Sequence, residues 1–278
     1  MGVFLSLLTA AMFGTGDFFG GLAGKRMRVL HLLAVSHLIG LFSILAVSLV
    51  LAERFSATDI AWGMVAGLSG IVGLGLLYQG LARGPMGVVA PLTAITSAAV
   101  PTLWGVAVDG DDLAAIGWLG VGLALAAIGL VSWAPTVEAP ITLRGVLEAL
   151  MAGVGFGVMF ILLDQTDPAS APWPIVGGRL LTAGGLLLYF LARRESIMPP
   201  DATSRSLVVG LGLFDTGSNA LFLYAADAGS LTIASVLSSL YPVSTVLLAR
   251  LFLHERLTPW QQAGFVAAVG AGVLIAAG

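Results

Sequence analysis

The chain has 278 residues, 58% of them hydrophobic and only 10% charged, with a mean hydropathy of +1.01. Soluble domains carry about 25% charged residues, so this chain lacks the polar side chains to cover a water-facing surface, and lipid is its expected solvent. A net charge of −3 carries no nucleic-acid signal, the lack of cysteine excludes disulfides and thiolate chemistry, and the three histidines, His31, His37 and His254, show no metal-ligand spacing.

A bilayer core of about 30 Å takes about 20 apolar residues per helix. About ten such runs follow one another, near 3–22, 30–51, 60–81, 87–108, 114–133, 143–163, 173–192, 206–225, 231–252 and 260–277. Short polar breaks separate them, and none is long enough to be a soluble domain. The expected fold is an all-α integral membrane protein of about ten transmembrane helices. Met1-Gly2 with Ser6 fits a loose myristoylation pattern, but those residues open the first span. No basic residue precedes that run, so it does not read as a cleaved signal peptide.

An ionisable group in hydrocarbon is costly unless it faces the bundle interior, a partner or water, so each one is a candidate site. The first run holds Asp17, on a stripe with Ser6, Thr9 and Phe13 and close enough to the helix end to pair with the Lys25 cluster. It also holds Gly16, Gly20 and Gly24, a doubled GxxxG; Gly153 and Gly157 repeat the motif in the sixth run. Such glycines let helices approach closely, within one chain or across a homodimer. The second run holds His37, expected to be a hydrogen-bonded packing residue or a group titrating near neutral pH. The fourth is interrupted by Pro91 and Pro101, with Thr93, Thr96, Ser97 and Trp104 nearby. In the sixth run Glu148 lies four residues after Arg144, the spacing of an interfacial ion pair. The seventh holds Arg179, a substrate-carboxylate anchor or, more simply, the partner of Asp164 or Asp167.

The eighth run holds the most central carboxylate, Asp215, with Asn219 one turn on along the same face. A carboxylate and an amide side by side would suit an ammonium group or a coupling proton, with Asn219 donating to the charged form; the structural alternative is a network bracing the helix. The ninth run is interrupted by Pro242, with Ser235, Ser238, Ser239 and Tyr241 around it. Proline frees a backbone carbonyl and kinks a helix, and broken helices at matching places point to a carrier's binding site. Tyr78 and Tyr224 end the third and eighth runs, where interfacial anchoring explains them as well as substrate stacking does.

The chain repeats itself at half its length. Phe13-Gly14 recurs as Phe156-Gly157, Tyr78 and Ala82 as Tyr224 and Ala228, Pro101 as Pro242, and Trp118 with Gly122 as Trp260 with Gly264, at offsets of 141 to 146 residues. Two five-helix units, 1–140 and 141–278, are expected, and an odd number of spans puts the second upside down relative to the first. Ten of the twelve Lys and Arg lie by odd-numbered loops, which the positive-inside rule places in the cytoplasm, with both termini outside. A cell membrane is the expected location, the plasma membrane in a bacterium.

The second unit resembles an EamA-type unit of the drug/metabolite transporter superfamily. The resemblance rests on Tyr224-Ala225-Ala226-Asp227-Ala228-Gly229-Ser230, Ser238-Ser239-Leu240-Tyr241-Pro242-Val243, Leu253-His254-Glu255-Arg256-Leu257-Thr258 and Gly264. The first unit is similar through Phe13-Gly14-Thr15-Gly16, Ala82 and Pro101, with Asp111-Asp112 where the second has Glu-Arg. The resemblance implies ten helices in two inverted repeats around a central cavity, working by alternating access. Such proteins export amino acids, drugs or other metabolites, or exchange sugars and phosphates, and more often keep both termini in the cytosol. The arginine at position 179 resembles one often found there in the family. No GxSxG, HExxH, GxGxxG or P-loop is present, so the expected function is a carrier of a small metabolite or drug-like molecule rather than an enzyme, with a channel or scramblase as the alternative. No cofactor or metal is expected beyond a coupling proton or Na⁺, the latter on carbonyls near Pro91, Pro101 or Pro242.

Overall fold

The computed structural model describes residues 1–83, 86–132, 142–253 and 258–277. The sequence motifs at Gly84-Pro85, at 133–141 and at His254-Glu255-Arg256-Leu257 lie outside the described residues. Among those described, no strand occurs and the order is α1 (Gly2–Gly24), α2 (Val29–Leu51), α3 (Ala57–Arg83), α4 (Met86–Trp104), α5 (Ala115–Val131), α6 (Leu143–Asp164), α7 (Trp173–Arg193), α8 (Ala202–Asp227), α9 (Leu231–Ser238), α10 (Tyr241–Leu253) and α11 (Pro259–Ala277). Among the described residues, eight stretches are long and apolar enough to cross a membrane: α1, α2, α3, α4 with the turn that follows it, α6, α7, α8, and α9 with α10 taken together. Helix α5 is apolar but has 17 residues, and α11 has 19. This is the architecture of a multi-pass membrane protein.

The two proline-bearing runs behave differently. Helix α4 continues through both Pro91 and Pro101 and then widens into a π-helical turn over Gly105–Asp109, which Gly110 closes at φ 76°. The ninth run does break, at Ser239-Leu240, and Pro242 sits in the first turn of α10, where its missing N–H removes no helical bond. The expected interruption of the fourth run at Pro91 and Pro101 is therefore not seen, and the halves differ here. Elsewhere helix starts are set locally. Thr142, Asp201 and Ser230 accept hydrogen bonds from the N–H groups of Gly145, Ser204 and Ile233, two or three residues into the next helix. Asp201 lies outside the spans, and the Ser204 N–H holds its carboxyl below the usual value of 3.8.

Packing follows the small residues. α1 lies against α8, α9 and α10; α6 lies against α3 and α4; α2 bridges α7 and α8; α3 bridges α6 and α7; and α5 pairs with α11. A Cβ on Gly16 would come 3.2 Å from the Asp215 nitrogen, and one on Gly153 would come 2.6 Å from the Thr93 carbonyl. Both positions let a neighbouring helix approach at backbone distance, so these GxxxG glycines serve contacts inside the chain.

The loops sort by charge into two ends. Arg26 meets Asp201 at 4.0 Å and Arg28 meets Glu195 at 3.8 Å, which brings the α1–α2 and α7–α8 connections together with their cluster of basic residues. At the other end Arg54 pairs with Asp167, and Asp111 accepts the Thr232 N–H at 3.0 Å. That end also carries Glu53, Asp109, Asp112, Asp164 and Asp227 and is acidic.

Candidate functional site

A cavity lies between the halves, lined by residues of α1, α2, α3, α4, α6, α7, α8 and α10. It gathers Asp17, His37, Arg179, Asp215, Asn219 and Tyr241, six residues that are far apart in the chain. Trp104 is not brought to it; that side chain lies at the end of α4 and is 38% exposed. Of Pro91, Pro101 and Pro242, none lines the cavity, although Tyr241 beside Pro242 does.

The polar side is built by three helices. α7 presents Arg179, which is buried, and α8 presents Asp215; the guanidinium Nη2 donates to the Asp215 carboxylate. Arg179 thus pairs with Asp215 and not with Asp164 or Asp167, because α7 and α8 face each other across the cavity while Asp167 is turned to the loop and held by Arg54. Asn219 donates its amide N–H to the Asp215 backbone carbonyl at 2.7 Å, four residues back, and not to the carboxylate as expected. The expected donor role is therefore taken by the guanidinium. His37 on α2 shares a 2.7 Å hydrogen bond with Thr182, one turn beyond Arg179. The Thr182 hydroxyl itself donates to the Gly178 carbonyl at 2.8 Å.

Asp17 is half-buried on the cavity wall and has no ion-pair or hydrogen-bond partner among the described residues. Pairing with the Lys25 cluster does not occur, since the side chain turns inward from α1. Its stripe-mates Ser6 and Thr9 are fully buried and donate to the carbonyls of Gly2 and Leu5 at 2.8 Å. Tyr78 is not an interfacial anchor: its hydroxyl is buried without a partner and lies where a Cβ on Gly20 would meet it at 2.6 Å. Tyr224 donates to the Ala171 carbonyl at 3.3 Å, near the acidic end. Glu148 accepts from Arg144 at 2.9 Å, the expected i,i+4 pair.

The opposite wall is apolar. Phe156, Met159 and Phe160 of α6 face the cavity with Phe13, and Phe160 stacks on buried Phe222 with centroids 4.2 Å apart. Ser97 of α4 reaches the cavity and meets Ser239, at the break between α9 and α10, at 3.2 Å. Sequence reasoning missed Thr182 and the α6 aromatics. Both were within reach: Thr182 is three residues from Arg179, and Phe156, Met159 and Phe160 share a face at i, i+3 and i+4.

The chain matches the EamA-like transporter family over residues 1–133 and again over 143–277. A solved structure titled "Crystal structure of protein" is 19% identical, with a TM-score of 0.77 over 98% of this chain and 95% of that one, so the two share a fold. No curated protein matches the sequence. With the family matched twice and across nearly the whole length, this chain belongs to the EamA-like transporter family of the drug/metabolite transporter superfamily.

Proposed function

We propose that this family member is a ten-span carrier that moves a small metabolite or drug-like molecule, such as an amino-acid-type export substrate, by alternating access of the central cavity. The observation that carries this reading is the cavity itself, which lies between the halves and holds the buried Arg179–Asp215 pair. The pairing of helices supports two inverted five-helix units. Exchanging the halves turns the α1–α8 contact into α6–α3 and the α2–α8 contact into α7–α3, and all four are present. Two units related in this way rock about a shared site, exposing it to each side in turn. Uphill movement would draw on a proton or Na⁺ gradient. Purified protein in liposomes should show saturable uptake and counterflow in a screen of amino acids, amines and drug-like solutes. Flux that rises linearly with solute and shows no counterflow would mark a channel or scramblase instead.

The charge sorting of the two ends supports one orientation. The basic end, with the α1–α2 and α7–α8 connections, is the cytoplasmic one, and both termini lie outside. Single cysteines can test this, because the chain has none of its own. Gly24 and Ala202 are exposed at the basic end and Ala114 at the acidic end. In intact cells an impermeant maleimide should label Ala114→Cys strongly and the other two weakly. The reverse pattern would overturn the orientation.

A further inference from the structure

The polar groups free to meet a ligand in the cavity are mostly acceptors. Arg179 donates to the Asp215 carboxylate, and the Asn219 amide N–H is engaged by a backbone carbonyl. What remains among the described residues is the Tyr241 hydroxyl, which can donate or accept, the Asp17 carboxyl, the Asn219 Oδ1 and the His37 Nε2. The last two atoms are buried without a partner in residues 6% and 4% exposed. The tautomer of His37 follows from its neighbour. Thr182 has one hydroxyl proton, which goes to the Gly178 carbonyl, so its oxygen accepts from His37 Nδ1–H, and Nε2 carries a lone pair.

Charge points the same way. With His37 neutral, the cavity wall carries two carboxyl groups, Asp17 and Asp215, against one guanidinium, Arg179, so the Asp17 carboxyl has no cationic side chain of its own there. Asp17 follows Gly16, where α8 approaches α1 so closely that a Cβ would come 3.2 Å from the Asp215 nitrogen. Phe13, one turn before Asp17 on α1, and Phe156 and Phe160 of α6 line the same cavity, and aromatic ring faces attract cations. To three acceptors an anion would bring no proton and an alcohol a single one. An ammonium supplies three N–H donors and the balancing charge.

We infer that the central cavity is a site for a primary ammonium carried on an apolar, ring-sized body, with Asp17 as its charge partner and Asn219 Oδ1 and His37 Nε2 as further acceptors. This deepens the carrier reading above and rests on it for the role of the cavity. The test is a binding series on the purified chain in nanodiscs of uncharged lipid near neutral pH, using phenethylammonium, phenethyl alcohol and phenylacetate. The wild type should bind the ammonium at least about tenfold more tightly than either other probe. Asp17→Asn should weaken ammonium binding roughly ten- to hundredfold, the range for a hydrogen bond to a charged group, and leave the alcohol unaffected. Asp17→Glu should restore the preference. Equal binding of the three probes by the wild type, no binding of the ammonium, or an Asp17→Asn protein with wild-type ammonium affinity would each overturn the inference. The wild-type series decides the matter even if Asp17→Asn does not fold. Counterflow of another solute without ammonium preference leaves the carrier reading standing and removes this one. Ammonium preference without counterflow of any solute does the opposite.

Discussion

Replacing Arg179 with methionine should lower the stability of the protein by about 3 kcal/mol and abolish counterflow. Arg179 is 9% exposed and Asp215 22%, and removing one member of a buried pair leaves the other charge uncompensated, a loss of about 3–5 kcal/mol. The partial exposure of Asp215 to the cavity places the effect at the low end. Asp215→Asn should fall by a similar amount, because it leaves Arg179 buried without its counter-charge. The double variant, Arg179→Met with Asp215→Asn, should recover most of the lost stability while remaining inactive. Thermal unfolding in detergent of the wild type, both single variants and the double variant measures the coupling. If the losses simply add, the two side chains do not act as a pair.

Gly178→Val should be nearly as damaging, for a steric reason. Gly177 and Gly178 on α7 face Ile60, Gly63 and Gly67 on α3, and a Cβ on Gly178 would come 2.9 Å from the Gly63 carbonyl oxygen. A backbone oxygen cannot rotate away, so α3 and α7 must separate. Overpacking of this kind costs about 1–3 kcal/mol, and valine, branched at Cβ, should lie at the upper end, with Gly178→Ala milder. Because Gly63, Gly67 and Gly178 also line the cavity, separation would distort the wall that carries Arg179 and Thr182. Counterflow should therefore fall in step with the melting temperature. Gly184 and Gly185 on the same helix meet nothing within 4 Å, and Gly185→Ala is the control expected to be near neutral. A wild-type melting temperature for Gly178→Val would show that α3 and α7 are not held at backbone contact.

Much of the fold was legible because lipid imposes it. A helix must satisfy every backbone group internally and span a fixed thickness, so apolar runs of about 20 residues locate the spans without reference to neighbours. The half-length repeat and the bias of basic residues are likewise one-dimensional properties. They anticipated the loops that now meet through Arg26–Asp201 and Arg28–Glu195. The candidate residues were legible for a related reason: a charge in hydrocarbon is expensive, so Asp17, Arg179 and Asp215 stand out by composition alone.

Which partner each charge takes was decided only by tertiary packing. Spacing along the chain favoured Lys25 for Asp17 and Asp164 or Asp167 for Arg179, since those are near in sequence. Arg179 instead meets Asp215, 36 residues away, because α7 and α8 face one cavity, and Asp17 turns to that cavity with no partner among the described residues. The prolines show the same limit. Pro91, Pro101 and Pro242 share a residue type and two of them a repeat position, yet α4 runs through its pair and the ninth run breaks. A proline removes a hydrogen-bond donor, but whether the helix bends or stops depends on what surrounds it. At the break, Ser97 from the other half of the chain meets Ser239. Local sequence thus determined that this chain crosses the membrane many times and which few polar groups lie inside it; only the packing of one half against the other decided how those groups pair and what they leave open to a ligand.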